Sequence, residues 1–147
     1  MKAEMGVRRM RGIRKISVVA ALMTTILGFA TAPPALAYMT HLRANLSGSS
    51  AYPNATGHAD YWHCCRYREF EAGLSGIGSL SGTTLTVYAA GHKVGTMRVG
   101  SDGYCHLRRD TRNGQYVPAL FSGDVVSVKK ADGTLVASGV LKRRMMT

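Results

Sequence analysis

His58, Asp60, His63, Cys64 and Cys65 fall within eight consecutive residues, and Cys105-His106 follow forty positions later. Thiolate and imidazole are the ligands that Cu(I) and Zn(II) prefer. His58, His63, Cys64 and Cys65 therefore form one candidate ligand set, that of a secreted copper or zinc binder. The spacing lends it little, because no Cys-x-x-Cys occurs and His-x-x-x-x-His-Cys-Cys matches no established ligand frame. A cysteine nucleophile served by a histidine base is a second chemistry for the same residues, and it requires an unpaired, activated thiol. Hydrolysis by other means lacks its marks: there is no Gly-x-Ser-x-Gly elbow and no pair of carboxylates plainly held together. The plainest reading is a structural disulfide beside surface histidines.

Which of these holds depends on the compartment, and the chain's start speaks to that. Lys2, Arg8, Arg9, Arg11, Arg14 and Lys15 stand against the single acid Glu4, an apolar run spans residues 16–32, and Ala35-Leu36-Ala37 follows. A basic head, a short apolar middle and small alternate residues describe a secretory signal peptide, residues 1–37, cut before Tyr38. Retention as a membrane anchor is the alternative, although the apolar run is short for a span. The expected location is secreted, extracellular or in the cell envelope, with the membrane met only in transit.

Residues 38–147 then form one domain. Of 19 bases and 8 acids in the chain, residues 1–37 hold six and one, which leaves thirteen against seven and a net charge of +6. A basic surface outside a cell favours an anionic cell-wall polymer or polysaccharide. No nucleic-acid motif is present, and no cofactor is expected.

Three cysteines remain in an oxidising compartment, so one disulfide and one spare thiol are expected. A bond between neighbouring Cys64 and Cys65 strains the peptide joining them, which makes Cys105 the expected partner of Cys65 or of Cys64. That loop of about 40 residues corresponds to roughly 4 kcal/mol in the chain-entropy account. The spare thiol leaves a disulfide-linked dimer open.

Strands must position these groups. Residues 40–46, 58–61, 67–74, 85–89, 94–99, 104–110, 125–129 and 134–141 carry strand patterns. Turn signals at Asn113-Gly114 and Asp132-Gly133 supply the positive φ of tight hairpins. Phe70, Ala72 and Leu74 share one face of their strand, with Glu69, Glu71 and Gly73 on the other. Cys105 shares parity with Leu107, and His106 with Tyr104 and Arg108, so Cys105 and His106 face opposite ways. Across Cys64 and Cys65 the parity depends on whether the strand of Phe70 runs on unbroken. The predicted fold is all-β: one antiparallel β-sandwich of the immunoglobulin-like, Greek-key type with about seven or eight short strands.

Gly82-Thr83-Thr84-Leu85-Thr86-Val87, Val94-Gly95-Thr96, Gly103, Gly114, Val117-Pro118, Gly123-Asp124-Val125, Gly133 and Ala137-Ser138-Gly139 resemble small secreted bacterial β-sandwich domains. These are loosely similar to chordin-type extracellular domains, and Gly57-His58-Ala59-Asp60-Tyr61 and Arg68-Glu69-Phe70 extend the likeness toward the start. The resemblance lies in turn glycines and core positions and implies a fold without an assigned activity. A secreted, non-enzymatic structural or binding module follows as the expectation. Its candidate surface is Tyr104, His106 and Arg108 on one strand face, with Trp62 near it, where aromatic rings beside cations suit a sugar or polyanion.

Overall fold

Alternation of apolar and polar residues decides which segments extend and which way they face. The computed structural model describes residues 39–144, and the expected signal peptide, residues 1–37, lies outside the described residues. Among the described residues nine strands form: β1 (Thr40–Gly48), β2 (Thr56–Cys64), β3 (Tyr67–Ser75), β4 (Thr84–Ala89), β5 (His92–Arg98), β6 (Cys105–Asp110), β7 (Val125–Lys129), β8 (Leu135–Val140) and β9 (Lys142–Arg143). Among the described residues there is no α-helix, only the 3-10 turns Gly78–Leu80 and Thr111–Asn113. All pairings are antiparallel, as the sequence predicts.

The arrangement differs from two stacked sheets. Eight strands follow one hydrogen-bonded path, β5-β4-β7-β8-β1-β2-β3-β6, with β9 also on β1. The path curls until its end strands β5 and β6 touch without forming a ladder, so the sheet is a nearly closed barrel. Gly95 on β5 makes that approach feasible. A Cβ there would lie 3.0 Å from Leu107 Cδ1 and 2.9 Å from Arg109 Nε on β6.

Inside, every strand from β1 to β8 contributes. Leu42, Ala44, Leu46, Ala59, Tyr61, Phe70, Ala72, Leu74, Leu85, Val87, Met97, Leu107, Val126, Val128 and Val136 are buried in one cluster. Curvature between β2 and β3 depends on Gly57, where an added Cβ would run into the Gly73 carbonyl. The segment from Gln115 to Asp124 crosses the open end of the barrel and inserts Val117 and Leu120. Tyr61 lies beneath it, its hydroxyl hydrogen-bonded by the Leu120 backbone, and burial raises its pKa.

The hairpin between β2 and β3 changes the reading of the cysteines. Cys64 pairs with Tyr67, leaving Cys65 and Arg66 as a two-residue turn, with Cys65 at φ +56°. The chain therefore reverses at Cys65, and parity cannot be carried through it from Phe70. Cys64 closes β2 on the outer face, beyond Trp62.

Candidate functional site

The outer face of β1, β2, β3 and β6 is a grid fixed by register. Across the four strands one row reads His41, Trp62, Glu69, Asp110; the next Arg43, Asp60, Glu71, Arg108; the third Asn45, His58, Gly73, His106. Diagonal neighbours on such a face lie within reach of long side chains, and most of the ion pairs run that way. Asp60 Oδ1 meets His41 Nε2 at 2.7 Å, and Asp60 Oδ2 lies 3.7 Å from Arg43 and 3.8 Å from His58. Glu69 accepts from Arg108 at 2.7 Å and from Arg112 at 3.1 Å, and Glu71 contacts His106 Nε2 at 2.9 Å.

Asp110 caps the 3-10 turn that follows β6. It accepts from the Arg112 amide at 2.8 Å and is gripped by the Arg112 guanidinium, whose hydrogen bonds hold its carboxyl below the usual range. Arg112 also lies over the Tyr67 ring at 5.9 Å, a cation–π arrangement. Trp62 stacks on His41, ring centroids 4.9 Å apart and planes within 14°.

Where this face meets the barrel end, Met39, Trp62, Cys64, Tyr67, Glu69, Asp110 and Arg112 line a depression of about 460 Å³. Its walls combine two aromatic rings with two carboxylates and a guanidinium. That size and lining suit one unit of a polar ligand with an apolar face. On the other side of the hairpin, Tyr61, His63, Cys65, Arg66, Arg68 and Phe121 border a second depression of about 290 Å³. Here the inward row, which is core at Tyr61 and Phe70, has passed beyond the barrel and carries His63 and Arg68 instead.

Among the described residues, Arg66, Arg68, Arg143 and Arg144 have no carboxylate within ion-pair distance. Arg144 is anchored at this same end by its amide, which donates to the His41 carbonyl.

The residues singled out from sequence sort as follows. Tyr104, His106 and Arg108 stand on the outer face of β6 and its approach, and Trp62 lies on the same face two strands away. Tyr104 stacks on His106 at 6.5 Å and covers Gly73. Arg108 and His106 are engaged by Glu69 and Glu71.

The proposed ligand set is not assembled. His58 and Cys64 lie six residues apart on β2, about 20 Å at strand rise, while His63 faces the opposite side. Among the described residues no three metal-ligating side chains converge.

The expected disulfide is corrected as well. Cys105 pairs with Leu74 at one end of β3 while Cys64 pairs with Tyr67 at the other. Seven residues of strand separate those partners, about 23 Å, whereas a disulfide needs Cα atoms within about 7 Å. All three cysteines are free, and burial pushes the Cys105 thiol up to about 11. The Cys64 and Cys65 sulfurs, by contrast, are 3.4 Å apart.

Sequence reasoning did not place His41, Asp110 and Arg112 at this site, and it took Glu69 for a solvated acid on an outer strand face. Register supplies them, and only the alternation of Glu69 and Glu71 signalled it in advance. Compared with protein-family models and with curated proteins, the chain finds no match.

Proposed function

We propose that the chain is a secreted, non-enzymatic binding module that holds an acidic polysaccharide on the outer face of its barrel, beside the β2–β3 hairpin. The observation that carries this reading is the depression where Trp62 and Tyr67 stand beside Glu69, Asp110 and Arg112. A sugar ring stacks its C–H face on the indole while its hydroxyls exchange hydrogen bonds with the carboxylates and guanidinium. Arg66, Arg68, Arg143 and Arg144, free of carboxylate partners among the described residues, add the attraction for acid groups. The signal-peptide pattern of residues 1–37 supports the location. The likeness to small secreted β-sandwich domains, loosely chordin-type, supports a module of this kind. So does the engagement of Asp60, Glu69, Glu71 and Asp110 in ion pairs, since carboxylates locked to cations are poor general acids or bases.

Trp62 is the sole tryptophan, so its fluorescence reports on the depression directly. Titration with an oligogalacturonate should give a saturable change, weaker with a neutral oligoglucan and weaker in salt, where the screening length falls from about 10 Å at 0.1 M to about 3 Å at 1 M. Tyr67→Ala should lower affinity for both sugars. Arg66→Ala with Arg68→Ala should lower it for the acidic one alone. No saturable change with either sugar would refute the reading.

A further inference from the structure

Two adjacent thiols sit at the end of a hairpin, Cys65 exposed and Cys64 half-buried. Cys64 and Cys65 are adjacent in sequence and occupy the tip of the β2–β3 hairpin, with Cys65 exposed and its backbone in the left-handed region at φ +56°. Their sulfurs stand 3.4 Å apart, and the hydrogen bond between them raises the pKa of Cys64. The third thiol cannot take part, because the register holds Cys105 at the far end of β3, buried beside Leu107. Within one chain, each of the paired thiols therefore has a single sulfur to react with.

A bond between them would close a ring containing one peptide unit. Bringing two sulfurs from 3.4 Å to a bond of about 2.05 Å moves only the turn, which the ladder anchors on one side through the Cys64–Tyr67 pair. The ring cannot relax fully to ordinary disulfide dihedrals, and strained, exposed disulfides are the ones that exchange readily. Such a bond serves poorly as a staple and well as a reactive centre.

We propose that Cys64 and Cys65 form a redox-active vicinal pair whose substrates are low-molecular-weight disulfides. Cys65, as the exposed member, loses its proton and attacks one sulfur of a disulfide R–S–S–R. The S–S bond of the substrate breaks, one R–S⁻ leaves and takes up a proton, and a mixed disulfide remains on Cys65. Cys64 then gives up its proton and attacks the Cys65 sulfur, which closes the ring and expels the second R–S⁻, protonated in turn to R–SH. The protein loses two hydrogens and two electrons, and one disulfide becomes two thiols. In the reverse direction, small thiols reopen the ring.

Oxidised glutathione serves as the probe on the purified full chain, followed by acid quenching, intact mass and peptide mapping. The wild-type chain should release two glutathiones per chain, retain none, become lighter by two hydrogens and yield both cysteines in one internally bridged peptide. Cys105 should react with alkylating reagent only after denaturation. Cys64→Ser and Cys65→Ser should each keep one glutathione as a stable mixed disulfide, since no second thiol is within reach. Because Cys65 is exposed in the turn and Cys64 ends β2 on its outer face, outside the core, either variant should fold. A wild-type chain that holds a glutathione on each cysteine, forms only covalent dimers through them, or stays fully reduced would overturn the proposal.

Discussion

The barrel has two halves that share one inner rule and differ outside. In β1, β2, β3 and β6 the outer rows hold Asp60, Glu69, Glu71 and Asp110, each tied to arginine or histidine. In β4, β5, β7 and β8 the same outward positions hold Thr84, Thr86, Tyr88, Lys93, Thr96, Arg98, Ser127, Lys129 and Ser138, and no carboxylate. Both halves fill the interior with equally buried residues, Phe70 on one side and Leu85 on the other. The inner rows thus make a fold and either half makes it equally well. Only the first half has the acids to organise its cations into a fixed array, and there the depression with Trp62 lies.

If the interior is one cooperative core, damage to either half should cost alike. Phe70→Ala is expected to lower stability by about 3–5 kcal/mol and Leu85→Ala by about 2–5 kcal/mol, read by denaturant unfolding with a single transition in each. Two separated transitions would mean that the halves are not one core. Outside, the halves should part company. Asp60→Asn removes the charge that His41, Arg43 and His58 share and should cost about 1.5–3 kcal/mol, while Thr86→Val on the plain half should stay within about 0.5 kcal/mol. Equal small effects would reduce the array to decoration.

The finest contrast lies in two low-titrating acids. Arg112 supplies the largest cause at Asp110, whereas the Thr134 amide does so at Asp132 in the β7–β8 turn, with Lys130 a minor cause. In Arg112→Ala the Asp110 carboxyl should return toward the ordinary range, and in Lys130→Ala the Asp132 carboxyl should stay low, as carboxyl NMR titration would show. Both groups have folded pKa values below the unfolded one. Their contribution is therefore present above the ordinary carboxylate pKa and is lost as pH falls through the lowered value. A low Asp110 in the absence of Arg112 would move the cause from side chain to backbone.

Legibility in the sequence followed the turns. Where glycine marks a reversal, as at Gly91 and Gly133 with φ of +78° and +87°, the flanking strands were readable to within two residues. The β2–β3 turn has no glycine; Cys65 takes the left-handed position itself, which hid both the length of β2 and the face of Cys64. Inward residues such as Phe70 and Cys105 were evident from alternation because burial acts residue by residue. The outer array was not, since Asp110 reaches Glu69's row only through pairing between segments some forty residues apart. Closure into one curled sheet was equally hidden, because it depends on Gly95 meeting β6, a contact with no local signature.

That seam between β5 and β6 has a consequence for association between copies of the chain. A curled sheet has two unsatisfied margins, and each is a template on which a second chain can extend the ladder. Here the margins face each other across a gap kept narrow by the missing side chain at Gly95. Each shields the other from strangers. Widening the gap would open both margins to strands of other chains, so the glycine at position 95 also guards the barrel against edge-to-edge association.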